Sequence, residues 1–186
     1  MTRIAIFASG LGSNAENIIR YFSDNKIVKV VLVLSNRPGS GVLNRAKALS
    51  VPTLVFTKTQ LNQGSIVFDA LKEYNASIII LAGFLLKIPI DLIQSYPNSI
   101  VNIHPALLPK YGGKGMYGIR VHRLVVENRD QTSGITIHYV NANYDEGDII
   151  FQATCAINPE DSPDDVQDKV RALELRHFPN VIKSIL

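Results

Sequence analysis

The sequence predicts an α/β fold: a doubly wound, mostly parallel sheet with an antiparallel edge hairpin and a C-terminal helix. Short runs rich in Val, Ile and Leu alternate with helical patterns through the first half of the chain, as in βαβ units. Two of these runs, Val28–Leu34 and Ser77–Leu81, are apolar at nearly every position, which is typical of strands buried on both faces. Later in the chain, two strand patterns follow each other with no helix between them, which indicates an antiparallel pair.

The elements of the first half follow from this alternation. Ile18, Ile19 and Phe22 fall on one side of the first predicted helix, as the core-facing residues of an amphipathic helix do. Pro89 is taken to open a short helix, because the N–H that proline lacks has no partner at a helix start. The other predicted elements are strand Arg3–Ala8, helix Ala15–Asp24, strand Val28–Leu34, helix Val42–Leu49, strand Thr53–Phe56, helix Leu61–Tyr74, strand Ser77–Leu81 and strand Ser99–Ile103.

In the second half of the chain, strand and helix patterns no longer alternate. A helix is predicted over Arg120–Asn128, and it is followed by strands over Gly134–Asn141 and Asp148–Ile157. The residues between these strands are turn-formers such as Asn, Asp and Gly, so the two strands form the predicted edge hairpin.

A C-terminal helix completes the fold. Ser162 suits an N-cap and Pro163 the first helical position, so the helix is predicted to begin there. It runs to about His177 and is expected to resume after Pro179. Because the chain has no internal repeat or interdomain linker, we expect one domain over 1–186.

Composition narrows the class of protein. The 186 residues carry a net charge of +3 with no basic block, which does not favour nucleic-acid binding. The single cysteine, Cys155, lies in an apolar run and is predicted to be a buried core residue, which fits a reducing compartment. No apolar run is long enough to cross a membrane, and no signal-peptide pattern follows Met1, so a cytoplasmic protein is expected.

The loop Ser9–Asn14, with the sequence Ser-Gly-Leu-Gly-Ser-Asn, joins the first strand to the first helix. Glycines let backbone N–H groups approach an anion, and a helix N-terminus adds partial positive charge, so the loop is predicted to cradle a phosphate. It is neither a Walker loop nor a dinucleotide fingerprint, because Ala15 stands where the third glycine would be. The alternative is a tight turn in which Ser13 or Asn14 is the N-cap.

Asn102 and His104 stand two residues apart at the end of a predicted buried strand, a spacing that puts both side chains on one face. An amide donates to a developing oxyanion and an imidazole carries a proton near neutral pH, so the pair indicates acyl or one-carbon transfer. The alternative is a loop-capping amide beside a half-buried structural histidine. Pro105 and Pro109 stiffen the following loop, and Leu108–Pro109 is predicted to be cis.

Asp145 lies in the turn between the hairpin strands, where an acid usually bonds its own backbone. If the hairpin packs beside the Asn102–His104 strand, Asp145 faces the imidazole and favours its protonated form. The apolar segment Gly83–Ile88 is interpreted equally well as a slot for a flat heterocycle or as a core cluster. His122 and His138 are predicted to be structural or peripheral, and four scattered histidines do not indicate a metal site.

Four motifs, in their order and spacing, carry a resemblance to a known family: Ser9–Asn14, Ala82–Phe84, Asn102–Pro109 and Asp145–Gly147. The chain resembles the phosphoribosylglycinamide formyltransferases, also called glycinamide ribonucleotide transformylases, over nearly its whole length. The resemblance implies a Rossmann-like formyltransferase fold and transfer of a formyl group from 10-formyltetrahydrofolate, as cosubstrate, to glycinamide ribonucleotide in purine biosynthesis. It implies no metal, small-molecule substrates as the partners, no nucleic acid or membrane partner, and a monomer or weak homodimer.

The resemblance also implies roles for individual residues. The catalytic residues it implies are Asn102, His104 and Asp145. The residues it implies for binding the ribonucleotide are Gly12, Ser13, Asn14 and Glu174. The residues it implies for binding the folate are Phe84, Leu85, Leu86, Ile88, Val140, Asn141 and Tyr144.

Two departures from the family pattern affect these expectations. Many members carry an arginine where this chain has Leu85, Leu86 and Lys87, so we expect its contacts to the pteridine or glutamate end of the folate to differ from theirs. The segment Gly112–Gly118 is longer than the common form of the loop. A formyltetrahydrofolate hydrolase and an inactive nucleotide-binding module remain as alternatives, whereas transfer-RNA formylation is less favoured because those enzymes carry a further domain.

Overall fold

The computed structural model describes residues 1–63 and 65–186, and the contacts divide the chain into two compact units. Unit 1 comprises Met1–Asn102 with Leu186, and unit 2 comprises Ile103–Ile185. The strands are β1 (Thr2–Phe7), β2 (Val28–Ser35), β3 (Thr53–Val55), β4 (Ile78–Leu81), β5 (Ile100–His104), β6 (Thr132–Tyr139) and β7 (Ile149–Ala156). The helices are α1 (Ser13–Tyr21), α2 (Gly41–Ala48), α3 (Lys58–Gln63), α4 (Ser65–Glu73), α5 (Ile90–Ser95), α6 (Ile119–Glu127) and α7 (Pro163–Ser184).

Unit 1 is built on parallel strands in the order β3-β2-β1-β4-β5. The central strand β1 is completely buried from Ile4 to Phe7, as its apolar sequence requires. Phe7 pairs with Leu81, and Leu81 pairs with Asn102, so the carboxyl ends of β1, β4 and β5 reach the same edge. Ligands of open α/β sheets bind at this edge.

Unit 2 contains the antiparallel strands β6 and β7 together with α6 and α7. The register runs from Thr132 opposite Ala156 to His138 opposite Ile149, with an irregularity before His138. The helix α7 packs against both strands and against α6. Its residues Val166 and Val170 are almost completely buried, so this packing forms the core of unit 2.

A close backbone approach shapes the turn between β6 and β7. The Tyr139 N–H donates to the Asp148 carbonyl at 2.9 Å. A Cβ atom on Gly147 would lie 1.7 Å from the carbonyl oxygen of Tyr139, which is far inside van der Waals contact. Position 147 therefore requires glycine for steric reasons alone.

The strand order through the sheet is β3-β2-β1-β4-β5-β6-β7, and this confirms the predicted α/β class. The edge pair β6 and β7 is antiparallel, as predicted. The predicted start of α7 is also confirmed, because the Ser162 hydroxyl accepts from the Asp165 N–H at 3.2 Å and Pro163 is the first helical residue. One domain over 1–186 stays a prediction.

The helix predicted over Leu61–Tyr74 corresponds to α3 and α4, and Gly64 between them lies outside the described residues. The first of these helices begins earlier than predicted, because Thr57 and Gln60 form a capping box. The Thr57 hydroxyl accepts from the Gln60 N–H at 3.2 Å, and the Gln60 side chain accepts from the Thr57 N–H at 2.8 Å. Helix α3 therefore begins at Lys58.

The expected interruption of the last helix near Pro179 is wrong, since α7 continues to Ser184. Phe178 and Ile182, on either side of the proline, are completely buried. Burying two such side chains is worth roughly 1.5–3 kcal/mol each. An interior proline costs roughly 3 kcal/mol, so packing holds the helix together across it.

The prediction that Cys155 is a buried core residue is also wrong, because this residue is only half-buried. It lies on β7, the last strand of the sheet, where half-buried and exposed residues alternate. Partial burial raises the pKa of its thiol. Among residues 1–63 and 65–186, no helix has both the length and the apolar character needed to cross a membrane.

Candidate active site

Asn102 and His104 lie on the same strand, β5, as the sequence predicted. Asn102 is half-buried, and it pairs with Leu81 at the carboxyl edge of unit 1. His104 is the last residue of β5 and is 3% exposed. The strand spacing directs the two side chains to one face, so an amide and an imidazole are presented together.

The His104 ring makes one firm hydrogen bond. Its Nε2 lies 2.8 Å from the carbonyl oxygen of Tyr111. Because a carbonyl only accepts, Nε2 carries a hydrogen and donates it. Nδ1 is left as the nitrogen that can exchange a proton with a bound molecule.

The structure brings Asp145 to this second nitrogen, with its Oδ2 atom 3.6 Å from His104 Nδ1. The same oxygen accepts the Gly113 N–H at 2.9 Å, which fixes the orientation of the carboxylate. Asp145 has a left-handed backbone (φ 57°), and its side chain is only 12% exposed. A carboxylate in this position stabilises a positive charge on the ring when Nδ1 takes up a proton.

Sequence reasoning placed His138 outside the site, whereas the structure puts it beside Asp145. His138 Nε2 lies 3.7 Å from Asp145 Oδ1, and its Nδ1 donates to the Tyr139 carbonyl at 2.8 Å. Burial lowers the pKa of His138. The sequence signal for this is a histidine inside a strand that is buried along most of its length. A buried polar ring needs a hydrogen-bonding or charged partner.

The loop after His104 is held by side chains of the hairpin. The Thr136 hydroxyl donates to the Ala106 carbonyl at 2.7 Å and accepts from the Leu108 N–H at 2.9 Å. Gln152 Nε2 donates to the Leu108 carbonyl at 3.1 Å. The peptide bond Leu108–Pro109 is cis, which confirms the prediction.

The loop after β1 has the geometry of a helix-terminal anion site. Gly12 is the N-cap of α1 with φ 82°, and none of the described side chains caps this helix. The alternative that Ser13 or Asn14 is the N-cap is therefore wrong, because both belong to the first turn of α1. Backbone N–H groups at this terminus carry the partial positive charge that attracts a phosphate.

The hydroxyl group of Ser9 connects the loop after β1 to two neighbouring loops. The buried Ser9 side chain donates to Asn36 Oδ1 at 2.6 Å and accepts from the Leu85 N–H at 3.0 Å. The loops that follow β1, β2 and β4 are thereby joined at one point. Phe84 packs against Phe7, with ring centroids 5.4 Å apart.

We expect Gly12→Ala to destabilise the loop. The new Cβ would lie 2.5 Å from the Val42 Cβ, in a backbone conformation unfavourable for alanine. Overpacking and backbone strain together lower the free energy of unfolding by roughly 2–3 kcal/mol. Gly10→Ala is the matched control, because nothing lies within 4 Å of its added Cβ. Urea unfolding of both variants checks this, and equal midpoints would contradict it.

The remaining predicted site residues are distributed over both units. In unit 1, Ile88 is buried, whereas Phe84, Leu85 and Leu86 are half-buried in the segment after β4. In unit 2, Glu174 is half-buried on α7. Val140, Asn141 and Tyr144, which follow β6, are half-buried or exposed. Binding of substrate or folate by any of them stays a prediction.

A third histidine of unit 2, His122 on α6, is buried, and its Nδ1 has no hydrogen-bond partner within the described part of the chain. Burial and, to a lesser degree, the nearby His104 lower its pKa to about 4. No group of three or more His, Cys, Asp or Glu residues that could hold a metal ion occurs in 1–63 and 65–186.

The buried His122 makes stability depend on pH. The group binds its proton more tightly in the unfolded chain, where its pKa is near 6.5, so its contribution is complete above pH 6.5. This contribution is lost as the pH falls towards 4, and it amounts to roughly 3 kcal/mol. Urea midpoints between pH 7 and 4.5 should fall for the wild type and fall less for His122→Leu. Parallel profiles would contradict this.

Comparisons with known proteins agree with one another. A formyl transferase family model matches residues 2–182. A chloroplastic phosphoribosylglycinamide formyltransferase of Arabidopsis thaliana is 38% identical over 98% of this chain, which spans 65% of that relative. The corresponding protein of Bacillus subtilis (strain 168) is 34% identical over 100% of this chain and 95% of its own. A crystal structure of a phosphoribosylglycinamide formyltransferase from Bacillus halodurans superposes with a TM-score of 0.89 and 32% identity, covering 100% of this chain and 95% of that one.

Proposed function

Because the chain belongs to the formyl transferase family, among the phosphoribosylglycinamide formyltransferases, we propose that it transfers a formyl group from 10-formyltetrahydrofolate to the amine of glycinamide ribonucleotide. The observation that carries this proposal is the approach of Asp145 to His104 Nδ1 at 3.6 Å, with Asn102 two residues earlier on the strand. Within a folate-dependent family, that group of side chains suits attack of an amine on a formyl carbon.

The ribonucleotide is positioned by its phosphate. Gly12, Ser13 and Asn14 offer backbone and side-chain donors at the N-terminus of α1. Glu174 accepts from the glycinamide amine and orients it. Holding the amine next to the formyl carbon removes most of the entropic cost of bringing the two molecules together.

The formyl donor needs an apolar slot for its flat ring. In unit 1, the side chains for this role are Phe84, Leu85, Leu86 and Ile88, and Ser9 holds the Leu85 backbone in place. In unit 2, the segment after β6 contributes Val140, Asn141 and Tyr144.

The chemistry is nucleophilic addition and elimination. The amine nitrogen bonds to the formyl carbon, and the formyl oxygen becomes an oxyanion that Asn102 and protonated His104 stabilise. Collapse of this intermediate breaks the bond from the formyl carbon to the folate nitrogen. Asp145 stabilises the charged ring, and it assists transfer of the proton from the attacking amine to the leaving nitrogen.

The proposal extends to partners and location. Small-molecule substrates account for the site, and nothing in the charge distribution favours nucleic acid, since the net charge is only +3. We propose a monomer or weak homodimer that acts in the cytoplasm as a single domain over 1–186.

A single-turnover assay tests the function. The purified chain is mixed with 10-formyltetrahydrofolate, with or without glycinamide ribonucleotide, and formylated product and released folate are measured. We expect release only when the amine is present, with one formylated product for each folate released. Equal release without the amine would identify a hydrolase, and no release in either case would identify a binding module.

A further inference from the structure

Tyr111 is the residue whose carbonyl oxygen accepts the His104 Nε2 hydrogen, and its backbone is left-handed, with φ 57°. Non-glycine residues seldom adopt this conformation, and a bulky aromatic residue does so only where its surroundings hold it. An extended Tyr111 would point its carbonyl in another direction. The bond to His104 therefore depends on whatever fixes Tyr111.

The side chain of Tyr111 is fixed at its far end. Its hydroxyl donates to Asp130 Oδ2 at 2.7 Å and accepts from Asn128 Nδ2 at 2.7 Å. Asp130 is itself paired with Lys110 at 2.6 Å, and its N–H donates to the Val125 carbonyl at the end of α6. The Leu124 carbonyl of α6 lies farther from the same hydroxyl, at 3.5 Å, so the partners of the phenol all lie in or just beyond α6.

The two nitrogens of His104 compete for one proton when the ring is neutral. The Tyr111 carbonyl favours a hydrogen on Nε2, whereas Asp145, 3.6 Å from Nδ1, favours a hydrogen on Nδ1. With the carbonyl in place, Nε2 keeps its hydrogen and Nδ1 remains the exchangeable position. Without it, the carboxylate draws the hydrogen to Nδ1.

We propose that Tyr111 is a positioning residue, which holds His104 in the Nε2–H form through the anchoring of its hydroxyl by Asp130 and Asn128. The kinetic consequences of this role rest on the proposed function, since they concern His104 as the group that exchanges a proton at Nδ1. The tautomer itself does not depend on the reaction, so it can be measured whether or not the protein transfers formyl groups.

The primary test is nitrogen-15 NMR of the histidine rings at a pH where they are neutral. The chain has four histidines, so the His104 signals can be assigned by comparison with His104→Ala. We expect wild-type His104 to show a protonated Nε2 and an unprotonated Nδ1. In Tyr111→Phe, the two nitrogen shifts should move towards those of the Nδ1–H form.

Matched variants separate anchoring from general damage. Asp130→Ala removes the closer of the two acceptors and should shift the tautomer in the same direction as Tyr111→Phe, whereas Asp130→Asn keeps an acceptor oxygen and should retain the wild-type tautomer. Tyr96→Phe removes the hydroxyl of a half-buried tyrosine in unit 1 and should change nothing. Urea unfolding of each variant identifies those that are merely destabilised.

Kinetics supply the second measurement. We expect Tyr111→Phe to lower kcat roughly tenfold to a hundredfold, the range for a small misplacement of a catalytic group, with KM for both substrates unchanged. An unchanged His104 tautomer in folded Tyr111→Phe and Asp130→Ala would overturn the inference. Failure of the wild type to transfer formyl groups would overturn the proposed function. The NMR result would then still decide whether Tyr111 sets the tautomer of His104.

Discussion

His104→Ala is expected to lower kcat for formyl transfer by about a thousandfold, because in the proposed mechanism the ring supplies both an oxyanion donor and an exchangeable proton. In the wild type, His104 is 3% exposed, and its Nε2 donates to the Tyr111 carbonyl. Losing that bond costs roughly 1–2 kcal/mol of stability, which a domain of ordinary stability tolerates. Binding of the ribonucleotide phosphate should persist, since we propose that the loop after β1 binds it.

Two measurements check this result. Single-turnover rates report the chemical step, and calorimetric titration with glycinamide ribonucleotide shows whether the substrate still binds. The control is His177→Ala, which removes an imidazole from α7, where the ring contacts Phe151. A His104→Ala enzyme that is folded, binds the ribonucleotide and retains more than about a tenth of the wild-type rate would remove His104 from the mechanism.

Asp145→Asn is expected to lower kcat by about a hundredfold to a thousandfold, although asparagine has the same shape and size as aspartate. The amide can still accept the Gly113 N–H, but it no longer carries the negative charge 3.6 Å from His104 Nδ1. A positive charge that forms on His104 during the reaction then lacks its nearby countercharge, which is the reason for the expected loss. KM for the ribonucleotide should change little.

Glu146→Gln is the matched control, because it removes a neighbouring charge from the same turn. Glu146 is exposed, and its carboxylate accepts from Asn143 at 2.8 Å. We expect its rate to equal that of the wild type. A comparable fall in kcat in both variants would show that activity depends on the net charge of the turn and not on Asp145 itself. Near-normal kcat in Asp145→Asn would remove Asp145 from the mechanism.

The fold was largely predictable because its signals are local. Buried parallel strands such as β2 and β4 are apolar almost throughout, and the Ser162–Pro163 pair marks the start of α7 in both sequence and structure. Where prediction failed, tertiary packing decided the outcome. Phe178 and Ile182 carry α7 through Pro179, a result that no local rule about proline contains.

The site was predictable only in part. The position of Asn102 and His104 on one strand follows from their spacing, whereas the approach of Asp145 depends on how the hairpin folds against the rest of unit 2. His138 was misjudged because its neighbourhood is set by the strand register, and the role of Tyr111 lies in a backbone carbonyl. Every residue has a carbonyl, so sequence alone offers no means of singling out this one.

Gly147 illustrates a different kind of constraint, which bears on how related chains are judged. The Tyr139 carbonyl occupies the space that any side chain at this position would need. No substitution of Gly147 would therefore preserve the turn. A descendant that had given up catalysis would still retain Gly147 for as long as it folded. Asp145, two residues earlier, has a left-handed backbone that asparagine or glycine would also adopt, so under the proposed mechanism a carboxylate kept at this position is the better indicator of a working enzyme.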